Sequence, residues 1–119
     1  MIKTKQKHSG DTGEMLAQKF LTKNRFIILQ QNFNCRYGEI DIIAQKKDTI
    51  HFIEVKTRSS AEDDPASFIH QAKQKRITNA AQWYVSQKKF DNYYFRFDVI
   101  CIIMKKIPEI TYYENAFTL

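Results

Sequence analysis

A chain of 119 residues that is 43% hydrophobic and 27% charged, with three glycines and two prolines, has room for one domain (1–119) and one core, which excludes fibrous and disordered classes. Lys and Arg outnumber Asp and Glu by 19 to 13, so the surface favours polyanionic partners, nucleic acid first. The longest apolar run, Val99 to Met104, falls far short of the roughly 18 residues needed to span a bilayer, so no membrane partner is expected. Met1 to Met15 is basic and polar, unlike a secretory signal, and Cys35 and Cys101 match no metal or redox spacing, which together fit a reducing cytoplasm.

In chain order, residues 1–10 read as a polar, flexible arm. Asp11 or Thr12 then caps a helix whose Leu16, Ala17, Phe20 and Leu21 fall at helical spacing, ending near Lys23-Asn24. Phe26 to Leu29 begins a strand that fades through Phe33, and Asn34 to Tyr37 make a polar connection. Two strands follow, over 38–45 and 49–58, around a turn at Lys47-Asp48. Ser59 to Asp64 is an acidic loop, and Asp64-Pro65 starts a helix of about twenty residues. Its apolar stripe takes in Ile69, Ala72, Ile77, Ala80, Ala81, Tyr84 and Val85, with Gln71, Lys75 and Gln82 off it. Phe95 to Met104 is a strand with Phe95, Phe97, Val99, Cys101 and Ile103 on one face, and beyond Pro108 the segment Ile110 to Tyr113 is a candidate edge strand. The order αβββαβ predicts an α/β fold, a mixed sheet of four to five strands flanked by helices.

The two strands around Lys47-Asp48 carry the chemistry. A hairpin symmetric about that turn sets Asp41 opposite Glu54, with Lys56 on the same face, whereas a slip of one residue would part the two acids. Glu54 stands among Phe52, Ile53 and Val55, where an isolated carboxylate costs on the order of several kcal/mol unless paired or bound to a cation. The simplest outcome is a cross-strand salt bridge with Lys56 or another base. One lysine does not neutralise two buried acids, however, whereas Mg2+ or Mn2+ takes one or two carboxylates and fills its shell with water and phosphate oxygens. An ion on Asp41 and Glu54 would acidify a water and offset charge on a phosphoryl group, with Lys56 orienting that water. Glu39 is either a partner of Lys56 or a supporting carboxylate, and Glu14 suits the N-terminus of its helix as an acid.

Gly13-Glu14, Gly38-Glu39-Ile40-Asp41, Phe52-Ile53-Glu54-Val55-Lys56-Thr57-Arg58 and Arg96-Phe97-Asp98-Val99 together resemble the YraN-like family (UPF0102) of small bacterial proteins. The likeness runs from about residue 10 to about residue 104. That family in turn resembles the restriction-endonuclease-like superfamily, which includes Holliday-junction resolvases and whose site is an Asp followed at a distance by Glu-x-Lys. The resemblance implies a restriction-endonuclease-like mixed sheet and a metal-dependent endonuclease acting on DNA, branched or repair intermediates among its substrates. It implies Asp41, Glu54 and Lys56 as the catalytic core, Glu14 as a third acid on the metal, and Gln71 or Lys75 as the polar residue approaching from the next helix. Ile40 stands where the superfamily often has proline.

From His70 to Phe90 the chain carries Lys73, Lys75, Arg76, Lys88 and Lys89 and no acid. This is either a solvated helix face or a surface that tracks phosphates, and Arg58 is placed to hold one bidentately. Trp83, Tyr84, Tyr93 and Tyr94 read as core or rim rather than base-stacking residues. Arg96 and Asp98 read as a structural ion pair, and Glu62-Asp63-Asp64 as capping and solubility. His8, His51 and His70 share no metal spacing. A nucleic-acid-binding or assembly module without catalysis is the alternative to the nuclease, and a homodimer would let so small a domain engage two strands.

Overall fold

Runs of β-branched and aromatic residues at period two, separated by short polar turns, dictate a sheet, and two amphipathic segments cover its faces. A computed structural model describes residues 5–59 and 69–117, with the backbone alone for 5–11. The elements are α1 (Lys5–Lys23), β1 (Ile27–Cys35), β2 (Gly38–Lys46), β3 (Thr49–Arg58), α2 (Gln71–Ser86), β4 (Tyr94–Ile103) and β5 (Glu109–Phe117). The five strands lie in sequence order in one sheet. β1, β2 and β3 form an antiparallel meander, β4 runs parallel to β3, and β5 returns antiparallel on the far edge. Parallel neighbours need a crossover, and the segment between β3 and β4 that carries α2 supplies it. This is the expected α/β architecture with five strands. Among the described residues, no helix is long and apolar enough to cross a membrane.

Each sheet face has its own core. On one, Ala17 and Leu21 of α1 pack on Ile42, Ala44, Ile53, Ile100 and Ile102. On the other, Ile77, Ala80, Ala81 and Tyr84 of α2 pack on Ile40, Ile43, Phe52 and Val99. Phe52 is the hub of the second face, its ring stacking on Phe97 at 5.4 Å and meeting Tyr84 edge-on at 6.3 Å.

Four boundaries differ from expectation, the simplest being β5, which runs over Glu109–Phe117 rather than Ile110 to Tyr113 alone. α1 starts at Lys5, so Asp11 and Thr12 lie inside it rather than capping it, and part of the expected arm is helical; residues 1–4 lie outside the described residues. β1 runs on to Cys35, because Phe33 packs edge-on against Tyr84 at 5.3 Å and the turn is only Arg36-Tyr37. α2 starts at Gln71, after the non-helical Ile69 and His70, and Asp64-Pro65 lies outside the described residues together with the acidic loop. Ala72, expected on the apolar stripe, is exposed, whereas Thr78 is buried.

Both glycines in the short acidic motifs allow a helix to close on the sheet. A Cβ on Gly13 would stand 2.5 Å from Thr57 Oγ1, so this glycine lets α1 lie against the end of β3 and brings Glu14 there. Gly38 has φ +157°, and a Cβ there would stand 2.8 Å from the Arg76 carbonyl oxygen of α2. The obstacle is backbone, so Gly38→Ala must push α2 outward. We expect this substitution to lower stability by about 1–3 kcal/mol in a urea titration; an unchanged midpoint would mean the helix is free to shift.

Candidate functional site

β2 and β3 pair in the predicted register, from Lys46 opposite Thr49 to Ile42 opposite Ile53. The ladder stops one rung short of Asp41 and Glu54. There the Asp41 carboxylate takes over a backbone role, its Oδ2 accepting the Val55 N–H at 2.8 Å. The β1–β2 pairing lacks the Asn32–Asp41 rung, between Gln31–Ile42 and Phe33–Ile40, and Asn32 takes φ 50°; its register shifts farther along, between Ile28 and Gln30. Ile42 and Ala44 side with α1 but Ile40 and Ile43 with α2, so the alternation of β2 slips at Asp41. A local irregularity of this sort re-aims a side chain.

Glu54 shares strand parity with Phe52 and so faces α2. It is buried, and Lys73 Nζ donates to its Oε2 at 2.6 Å while Lys56 Nζ stands 3.5 Å from the same oxygen. Lys73 belongs there by helix phase. It lies four residues before Ile77 and so extends the inward row that continues through Ala80, Ala81 and Tyr84. Asp41 and Glu54 open into a pocket of about 430 Å³, lined also by Glu39, His70, Ala72, Lys73, Arg76 and Ile77. The first turn of α2 forms one wall and carries no acid, so its N–H groups and dipole favour an anion.

The electrostatics follow from two acids sharing one small space. Burial first, then the charge of Glu54, pushes the Asp41 carboxyl up to about 7; the Val55 N–H and Lys73 oppose the rise and Glu14 adds to it. Burial lowers the Lys56 ammonium, helped by the Lys73 and Arg58 charges and opposed by Glu54. For Lys73, burial pulls downward, but the hydrogen bond and charge of Glu54 outweigh it and leave the group raised. Lys73 is therefore the firmly held cation of the site.

The donor set suits a hard divalent ion. Two carboxylates are all-oxygen ligands, and magnesium commonly takes no more than that from protein. The pair also accepts positive charge, because the Lys73 ammonium is bonded to Glu54 while its charge acts on Asp41. An ion on both acids competes with Lys73 for Glu54 Oε2, and the Lys73 side chain, 41% exposed, has room to withdraw toward solvent.

Several expected residues stand elsewhere. Glu14 is half-buried and its charge reaches Asp41, yet no group of three or more His, Cys, Asp or Glu side chains converges as a metal cluster among the described residues. Gln71 and Lys75 are exposed and do not line the pocket; Lys73 and Arg76 are the α2 residues that do. Glu39 lines the pocket, but the acid beside Lys56 is Glu54. Arg58 is half-buried and donates to the Thr57 carbonyl at 3.1 Å, outside the pocket lining. Asp98 is bonded not to Arg96, whose Nη1 donates to the Phe95 carbonyl, but to His51 and Tyr112. Tyr84 is core, whereas Trp83 and Tyr94 are exposed.

The model of uncharacterised protein family UPF0102 matches residues 13–102. A UPF0102 protein of Clostridium perfringens is 46% identical over 120 residues, covering 98% of both chains. One from Clostridium tetani is 43% identical over 117 residues, covering 95% of this chain and 96% of its own. One from Geotalea daltonii is 42% identical over 120 residues, covering 98% and 94%.

Proposed function

The chain belongs to the UPF0102 family, and from that premise and the geometry of its pocket we propose that it is a metal-dependent nuclease hydrolysing DNA phosphodiesters, branched or repair intermediates among them. The observation that carries this reading is the meeting of Asp41, Glu54 and Lys73 at one pocket walled by the start of a helix, with Lys56 3.5 Å from Glu54. In it Asp41 and Glu54 hold magnesium or manganese. When bound, such an ion supplies Lewis acidity at the phosphate and makes a nearby water more acidic.

The protein's own groups do the rest. The Val55 N–H fixes the rotamer of Asp41, so one carboxylate oxygen is committed and the other is left for a ligand. Lys56, close to Glu54 and pulled down by burial, is placed to orient a water or take part of its proton. Lys73, Arg76 and the first turn of α2 draw in the phosphate. Once phosphate oxygens enter, Lys73 has a second anion to bond and can release Glu54.

A cleavage screen tests this. Wild type and Glu54→Gln are incubated with single-stranded, duplex and branched DNA and millimolar manganese or magnesium. Wild type is expected to cut at least one of them, and Glu54→Gln, folded by circular dichroism, to lose at least a hundredfold in rate, on the order of a missing metal ligand. Equal cutting by both proteins would overturn the assignment. Salt-sensitive binding of DNA by both, with cutting by neither, would replace the nuclease with a binding module on the same fold.

A further inference from the structure

Beside the acid pocket, the turn between β1 and β2 and the last turn of α2 bring two large aromatic residues to the surface. Tyr37 and Trp83 are each 41% exposed, their rings 5.9 Å apart and tilted by 51°. That geometry is an open wedge rather than a closed stack, so neither ring covers the other. Trp83 does not serve the core, because α2 already turns Ile77, Ala80, Ala81 and Tyr84 to the sheet. The wedge lies in a cleft of about 410 Å³ with Asn79, Gln82 and Ser86 around it, and the Arg36 guanidinium sits 5.4 Å from the Tyr37 ring centroid.

The cleft neighbours the acid pocket along both β2 and α2. Tyr37 lies two residues before Glu39, and Asn79 three after Arg76; Glu39 and Arg76 line the pocket while Tyr37 and Asn79 line the cleft. Between the two, Gly38 and Arg76 are in near backbone contact. Along α2, Trp83 lies seven residues beyond Arg76, roughly 10 Å of helix.

We propose that this wedge is a base-stacking subsite for single-stranded DNA whose phosphate lies in the pocket of Asp41 and Glu54; the inference rests on the function proposed above. Aromatic faces hold unpaired bases of any sequence, and the Asn79 and Gln82 amides offer donors and acceptors to a base edge. Positive charge from Arg36 on one side and Arg76 and Lys73 on the other suits the flanking phosphates. A duplex keeps its bases stacked on one another and presents no free face, so the subsite selects a single-stranded or unpaired stretch.

Trp83 is the chain's single tryptophan, so its emission reports this site alone. The full chain is titrated at fixed salt with a short oligothymidylate and with a duplex of equal length, and binding is followed separately through the anisotropy of a labelled oligomer. Oligothymidylate is expected to quench Trp83 saturably and the duplex to leave it nearly unchanged. Trp83→Ala and Tyr37→Ala are each expected to weaken binding about 5- to 100-fold, and Trp83→Phe to restore most of it. Should Trp83→Ala fail to fold, Tyr37→Ala and the wild-type emission decide. Oligomer binding with unchanged emission and full affinity in Tyr37→Ala overturns the subsite and leaves the nuclease standing. Absence of binding to either DNA removes the nuclease reading and the subsite with it.

Discussion

Asp41→Asn is expected to be more stable than wild type in the absence of metal at neutral and alkaline pH, and to lose its response to magnesium or manganese. The groups facing Asp41 set the sign. Glu54 from β3 and Glu14 from α1 repel its charge, Lys73 from α2 and the Val55 N–H support it, and burial tips the balance to a carboxyl that ionises only at about 7 against an ordinary 3.8. A folded-state value above the unfolded one means that the folded protein holds the extra proton between them, so the stability of wild type falls as pH rises through that window. Above about 7 the folded state bears the full penalty of the charge. Asparagine has no charge to bear and still offers an oxygen to Val55, so its advantage should grow across the window and then level off, at a few degrees in Tm. Metal is expected to reverse the order, because an ion that bound only the native wild type would raise its stability by mass action. Thermal unfolding across the window with a chelator, then with millimolar magnesium or manganese, reads both effects. Parallel pH profiles would show that Asp41 carries no such strain, and a metal-dependent rise retained in Asp41→Asn would place the ion elsewhere.

The hairpin register, the crossover helix and the edge strand were legible because each rests on local rules. A two-residue turn at Lys47-Asp48 leaves one symmetric pairing, and period-two apolar residues on both arms agree with it. The same rules reached the neighbourhood of Asp41 and Glu54 but not its detail, because no glycine or proline marks the position where the alternation of β2 slips. Lys73 was open to discovery. Four residues before Ile77, it shares the inward row, but in the sequence it reads only as one base of a phosphate-tracking surface, and the family resemblance points to Gln71 and Lys75 as the helix residues at the site. Tyr37 and Trp83 were not legible as a pair, since a turn and a helix meet there only through the close approach of Gly38 to Arg76. Asp98 was assigned to Arg96 because residues two apart share a strand face; its real partners come from β3 and β5, where no sequence spacing points.

Those partners give the largest expected loss of stability. Asp98 is fully buried and accepts from His51 Nδ1 at 2.6 Å, from the Tyr112 hydroxyl, and from the Asn115 N–H at 2.7 Å. The phenol is pushed well above its ordinary value by burial, then by the Asp98 charge, so it remains a donor at every working pH. Phe26 packs edge-on against both His51 and Tyr112 and keeps water out. One carboxylate thus ties β3, β4 and β5 together, on the Ile53–Asp98 rung next to Glu54. Asp98→Ala takes the acceptor from three donors at once, the buried His51 among them, which is expected to cost about 3–5 kcal/mol and on the order of 10 °C or more in Tm. Tyr112→Phe removes one donor and leaves Asp98 two, so its cost should be nearer 1 kcal/mol. The ratio between them separates a shared acceptor from a set of independent hydrogen bonds. Equal, small losses in urea titrations of both variants would mean that packing alone holds the three strands. The predicted gap would mean that the support beneath Glu54 is electrostatic, and Asp98→Ala should then blunt the metal response of a site it never touches.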